Sequence, residues 1–258
     1  MKYENYQRNH AIIPGRENVL EDFLKKDYKG MRHKWKNGIS SNSEDALTWS
    51  CFEVIANFPL TKKIAALDEM LEDAFEGNCN FSFKDEKYSE SEIEIFIGKE
   101  YKGKTSKEST EVDASIELPN KLIFIEAKLY SSISLAHPDP LKKKPHDQIA
   151  RKLRVGIDTA GSKEFYFIFL DIAPASELRK FTTEKKSKEN ALINPPAKWK
   201  SAWVFNRYKK GWKGNLKPLE VCLTGIKTHQ PIKSIADNMG WITWSDLYKS
   251  ILRGILAP

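Results

Sequence analysis

Three residues of this chain, Asp113, Glu126 and Lys128, have types and spacing suited to hydrolytic chemistry. Glu126 and Lys128 end the stretch NKLIFIEAKLY, in which Leu122 to Ile125 run apolar without a break. Such a run reads as a strand buried on both faces. An acid and a lysine two positions apart then share one face. Asp113 precedes Glu126 by 13 residues, within EVDASIEL. That segment alternates: Val112, Ala114, Ile116 and Leu118 on one face, Glu111, Asp113, Ser115 and Glu117 on the other. Pro119 and Asn120 turn the chain between the two segments, so a hairpin is predicted. With a shared polar face, two carboxylates and an ammonium converge. Two carboxylates suit a hard divalent cation such as magnesium or manganese, with positions left for water and phosphate. The cation would neutralise a phosphate and lower the pKa of its bound water. The lysine would orient or help deprotonate that water and stabilise charge developing on phosphorus. This is the chemistry of phosphodiester hydrolysis.

The acid-x-lysine pattern alone carries little weight. Asp27-Tyr28-Lys29, Glu100-Tyr101-Lys102 and Glu184-Lys185-Lys186 match it too, in polar, loop-like or helix-end surroundings. Only Glu126-Ala127-Lys128 follows both an apolar strand and an acidic strand. The competing account is a structural ion pair at a strand end, which must meet the cost of burying charge.

Several elements would position these residues. RENVLEDFLKK, 16–26, reads as a short helix. SNSEDALTWSCFEVIANF reads as a second, with Ser43 as N-cap and Glu44 and Asp45 in its first turn. A third runs from about Lys62 to Glu76, with Gly77 as its stop. FSF at 81–83 and IEIFIG at 93–98 read as strands, the latter followed by a charged loop. PHDQIARKLRVGIDTA reads as a helix and FYFIFLDI, 165–172, as another buried strand. Strand, helix and buried strand form a crossover unit. Beyond Pro174 come a helix near 175–181, the charged run TTEKKSKEN, an aromatic-basic segment from Lys198 to Lys213, and a capped helix, TWSDLYKSILRGIL. The expectation is a single α/β domain over 1–258, with a mixed sheet of four or five strands flanked by helices. Its core spans about 43–172, and 173–258 form a helical elaboration.

The chain has 258 residues and a formal charge of +7, and its pI is about 9.1. A basic excess favours a polyanionic partner. Lys142, Lys143 and Lys144 precede the predicted Gln148 helix, which adds Arg151, Lys152 and Arg154. These six are the expected nucleic-acid contacts. KWKSAWVFNRYKKGWK interleaves Trp199, Trp203, Phe205, Tyr208 and Trp212 with basic residues; stacking on unpaired bases competes with simple core packing. Cys51, Cys79 and Cys222 form no C-x-x-C pair, and neither they nor His137 and His146 make a zinc pattern. A cytoplasmic protein without membrane spans is the expectation. No phosphate-binding glycine loop or nucleophile elbow is present.

V-D-A-S-I-E-L followed by I-F-I-E-A-K-L resembles the PD-(D/E)XK, or restriction-endonuclease-like, nuclease superfamily. SEDALTW, IEAKLY and HDQ together resemble uncharacterised bacterial members. The resemblance covers roughly 43–172 and departs at Val112, where the motif's name has proline. It implies that Asp113, Glu126 and the backbone carbonyl of Ala127 hold Mg2+ or Mn2+, and that Lys128 is the catalytic lysine. It also implies an assisting acid from the preceding helix, here Glu44, with Asp45 and then Glu53 as substitutes. Gln148 would bind a phosphate or water near the metal. The implied activity is metal-dependent cleavage of DNA to a 5′-phosphate and a 3′-hydroxyl, with a homodimer suiting a double-strand cutter. Two readings from other classes stay open: a non-catalytic nucleic-acid-binding module, and a subunit of a larger defence or mobile-element complex.

Overall fold

The computed structural model describes residues 6–26, 34, 38–40, 43–131, 133–135, 145–180 and 199–258. Lys142, Lys143, Lys144 and His137 lie outside the described residues, as does the run TTEKKSKEN. Helices α1 (Glu17–Lys25), α2 (Glu44–Ala56), α3 (Leu60–Ala74) and the short α4 (Phe83–Glu86) lead into strands β1 (Glu94–Lys102), β2 (Ser109–Glu117) and β3 (Lys121–Ala127). Then follow α5 (Gln148–Ala160), β4 (Glu164–Asp171), α6 (Ala175–Lys180), α7 (Trp199–Lys209), α8 (Lys217–Cys222), α9 (Ile232–Asp237), β5 (Met239–Thr243) and α10 (Trp244–Leu256).

The strands form one sheet in the order β1-β2-β3-β4-β5. β1, β2 and β3 pair antiparallel, whereas β3, β4 and β5 run parallel. A six-residue loop joins β1 to β2, a three-residue turn joins β2 to β3, and a helical crossover joins β3 to β4. Every residue of β3 is buried. Its apolar run needs both faces covered, and both are. Ala114, Ile116, Ile123, Ile125, Ile168 and Ile242 pack with Phe52, Leu67, Leu71 and Leu247 of α2, α3 and α10. Leu122, Phe124, Phe165, Phe167 and Phe169 pack on the opposite side with Ile149 and Leu153 of α5 and with Phe205 and Leu219 beyond it. Gly156 allows α5 to lie close on the sheet: a Cβ there would meet the Phe165 ring. Among the described residues no helix is long and apolar enough to cross a membrane.

Local signals set most boundaries. The Ser43 hydroxyl accepts from Ala46 N at 3.1 Å and starts α2. The Asp147 carboxylate accepts from Ala150 N at 2.9 Å and starts α5. Thr243 and Asp246 form a reciprocal capping box at the start of α10.

Three expectations need correction. FSF at 81–83 is no strand, because Ser82 caps α4 and the Asp68 carboxylate takes the Phe83 and Lys84 N–H groups. The loop expected directly after Gly98 starts later, since β1 continues to Lys102 on a ladder with β2. The C-terminal region is not wholly helical, because it supplies β5, with Met239 opposite Phe167 and Trp241 opposite Phe169. Met239-Gly-Trp-Ile-Thr243 is too short and too glycine-interrupted to read as a strand without its partner.

Candidate active site

The site lies where β3 ends. Its ladder with β2 pairs Ala114 with Ile125, and one step further along the same register Asp113 faces Glu126. The Asp113 carboxylate accepts the Ala127 N–H at 2.7 Å, so a side chain caps the exit of the neighbouring strand. The two carboxyl groups are close enough for each charge to act on the other. Glu126 has no exposed surface.

The predicted face of β2 breaks at this point. Ala114 and Ile116 pack on the α3 side of the sheet, while Val112 packs on the α5 side. Across the ladder stands Gly98, whose φ of +60° only glycine adopts readily. Glu111 therefore parts from Asp113 and pairs with Lys34. A regular strand would have placed both acids together. The break leaves Asp113 at the β3 exit and directs the Glu111 backbone carbonyl to Lys152.

Lys128 is held at both backbone groups. Its N–H donates to Leu170 O at 2.7 Å, and its carbonyl accepts from Trp244 Nε1 at 3.0 Å. Its ammonium lies 2.9 Å from Glu126 Oε1 and 3.0 Å from Glu44 Oε1, and donates to the Ala127 carbonyl at 2.7 Å. Glu44 straps this corner to α2, because its Oε2 accepts from Leu129 N at 2.7 Å and from the Ser131 hydroxyl at 2.8 Å. Gln148 begins α5 and donates its amide N–H to Glu126 Oε1. Ser134 fixes that amide, donating its N–H to Gln148 Oε1 at 3.3 Å. Asp113, Glu126, Lys128, Glu44 and Gln148 thus converge, drawn from two strands and two helix N-termini.

Two like charges in one dry corner leave a clear electrostatic mark. Burial, and then the Asp113 charge, push the Glu126 carboxyl up to about 7, against the pull of Lys128 and Lys152. Burial works against the Asp113 charge as well, but Lys128, Lys152 and the Ala127 N–H outweigh it and hold its carboxyl below the usual range. Burial alone would lower the Lys128 pKa, yet Glu126, Asp113 and Glu44 hold it above the usual lysine range. These three acids favour the ammonium form of Lys128. Asp45 lies beside the site, its carboxyl pushed up to about 6 by burial, with Lys34 opposing. The remaining substitute, Glu53, is taken up by Arg16 at 2.6 Å.

The largest corrections fall on the basic residues. Lys152 and Arg154 are buried and do not form a nucleic-acid surface. Arg154 grips Glu108 through Nε at 2.6 Å and Nη2 at 2.8 Å, and donates to Pro145 O at 2.6 Å. Lys152 Nζ stands 2.5 Å from Glu126 Oε2. Its position one helical turn beyond Gln148 was the available signal: residues four apart share a face, so whatever receives Gln148 receives Lys152. Arg151, next to it, is partly exposed. Of the aromatic-basic segment, Phe205 and Tyr208 belong to the core, while Trp203 and Trp212 stand exposed.

Among the described residues no group of three or more His, Cys, Asp or Glu side chains is gathered to hold a metal, and the three cysteines are free thiols. The two adjacent carboxylates do fit one: Glu126 Oε2 is buried and accepts no hydrogen bond of adequate geometry. Its contact with Lys152 is an ion pair whose angles fall outside those of a hydrogen bond. Asp113, Glu126 and the Ala127 carbonyl present oxygen alone, the ligand type of magnesium or manganese. No family model, no curated protein and no solved structure matches the chain.

Proposed function

We propose that the chain is a metal-dependent nuclease of the PD-(D/E)XK type that hydrolyses DNA phosphodiester bonds. One observation carries this reading: a wholly buried Glu126 and a half-buried Asp113 stand beside each other on neighbouring strands, with the Lys128 ammonium on Glu126. Crowding like charges in a dry site is costly unless a cation or a reaction uses it. The order of elements also supports it: an acid-bearing helix, a three-stranded meander, a glutamine-bearing helix and a parallel buried strand.

Asp113, Glu126 and the Ala127 carbonyl would hold Mg2+ or Mn2+, which when bound supplies charge neutralisation and a more acidic water. Lys128, held as an ammonium between Glu44 and Glu126, donates hydrogen bonds towards the oxygens that gain charge at phosphorus. Glu44 orients Lys128, and Gln148 orients Glu126. Of the six expected basic contacts, Arg151 and Lys142–Lys144 remain for the DNA backbone.

The test is cleavage of plasmid, linear, single-stranded and branched DNA with Mg2+, Mn2+ or EDTA, for the full chain and for Glu126→Ala and Lys128→Ala. Metal-dependent cutting lost in both variants is the expected result. Salt-sensitive DNA binding without cutting by the intact chain would favour a binding module instead.

A further inference from the structure

We propose that Lys152 is an internal counter-ion of the carboxylate pair, and that a divalent ion binding Asp113 and Glu126 displaces its ammonium from Glu126 Oε2. This rests on the reading of that pair as metal ligands.

The surroundings of Lys152 support such a role. The residue is only 2% exposed, so its ammonium has almost no water to satisfy it. Two groups receive it: Glu126 Oε2 and the backbone carbonyl of Glu111. The two oxygens of Glu126 are held differently. Oε1 takes a hydrogen bond from Gln148 and the Lys128 ammonium at 2.9 Å. Oε2 has only the Lys152 contact, an ion pair without hydrogen-bond geometry. A point charge suffices there, and another cation could take the same place.

The two lysines are not equivalent. Lys128 is tied to Glu44 and to the Ala127 carbonyl, so loss of Glu126 would leave it two partners. Lys152 would keep one hydrogen-bond acceptor, the Glu111 carbonyl, and the more distant Asp113 charge, at the end of a flexible four-carbon stem that allows a short retreat. Charge arithmetic points the same way. With Glu126 ionised, as a metal ligand must be, Glu44, Asp113 and Glu126 against Lys128 and Lys152 leave one net negative charge. A divalent ion would turn that into one net positive charge, the complement of a single phosphodiester. Repulsion between the ion and the Lys152 ammonium then keeps metal affinity low until the phosphate arrives, so that metal and nucleic acid bind together.

Mn2+ titrated by calorimetry into the full chain in metal-free buffer, without nucleic acid, tests this directly. Wild type is compared with Lys152→Met, Lys152→Arg and Glu126→Gln, and melting with EDTA or Mn2+ checks folding. Lys152→Met should bind Mn2+ at least about tenfold more tightly than wild type, or about 1.4 kcal/mol. Its melting temperature should also rise more on adding Mn2+. Lys152→Arg should bind no better than wild type, and Glu126→Gln should not bind. If Lys152→Met is unfolded in EDTA, Lys152→Gln carries the same expectation. Binding by wild type with equal or weaker binding by the neutral variants would overturn the counter-ion role and leave Lys152 as a residue that positions Glu126. Folded wild type and variants that all ignore Mn2+ would overturn the metal site, and this inference with it.

Discussion

β3 carries a buried lysine at each end, and the two behave in opposite ways. At its start, Lys121 Nζ lies 2.8 Å from Glu86 Oε1, 3.9 Å from Glu164 Oε2 and 4.8 Å from the centre of the Phe81 ring. Both acids sit at the rim, partly in water. The hydrogen bond from Lys121, despite a small burial penalty, holds the Glu86 carboxyl below its usual range. At the far end, Lys128 meets Glu126, which is wholly buried and has Asp113 beside it. Here the acid is pushed up to about 7. Residue type, strand and burial of the lysine are alike; what differs is first the burial of the acid and then the Asp113 charge beside it. A buried lysine–glutamate contact is thus no sign of a site by itself. A like-charge neighbour that the ion pair fails to compensate is such a sign.

Substitution at the two ends is the strongest way to break that comparison. Glu126→Ala and Lys128→Ala should each lower the cleavage rate by about 10²–10⁴-fold, with the chain still folded by circular dichroism. Lys121→Met should melt earlier yet cut near the wild-type rate at a temperature where it is folded. Equal losses of rate at both ends would mean that the far-end cluster is also only structural.

Gln148 sharpens the comparison, since its amide holds a wholly buried carboxylate, whereas the amide on Glu86, Asn120 Nδ2 at 3.2 Å, lies at the exposed rim. Gln148→Ala should lower activity or Mn2+ affinity by about 10–100-fold, the usual range for a residue that orients a metal ligand. Its melting temperature should change little. An unaltered Mn2+ affinity and rate would place Gln148 among ordinary helix-capping residues.

How far the sequence discloses this site depends on the range of the interactions that build it. Asp113, Glu126 and Lys128 are legible because strand periodicity and one short turn suffice to bring them together. Glu44 is legible as a first-turn residue because Ser43 announces its helix, whereas Gln148 was singled out by the resemblance and its Asp147 cap emerges only in the structure. Lys152 was misread, because basicity on a helix suggests solvent, and only the packing of α5 on the sheet shows that this face turns inward. Glu111 was misread for a different reason. Strict alternation assumes an unbroken strand, and the break opposite Gly98 arises from its pairing with β1. β5 escaped because five residues form a strand only when β4 supplies the ladder. Contacts within a hairpin or a helix turn are visible in sequence; those that need two elements to dock are not.

The smallest expected effect is the difference in pH dependence between the two ends. A carboxyl raised from 4.5 to about 7 keeps its proton in the folded state after the unfolded chain has released it. Between those values the native state binds more protons, so the contribution of Glu126 to unfolding free energy falls as pH rises. It is fully present below pH 4.5 and lost by about 7. Glu86 has the opposite sign: its carboxyl is lowered, so its contribution is present above the ordinary value and disappears as pH falls through the folded one. Denaturant unfolding in EDTA, followed from below pH 4.5, where Glu86 titrates, to above pH 7, should therefore show Glu126→Gln gaining on wild type as pH rises. Glu86→Gln should instead lose, by about 1 kcal/mol or less for a rim pair. Because Asp45 titrates nearby, the informative quantity is the difference between variant and wild type at each pH, not the slope of either curve. Parallel curves for Glu126→Gln and wild type would mean that Lys128 and Lys152 fully compensate the pair. The far end of β3 would then be a structural ion cluster like the near one.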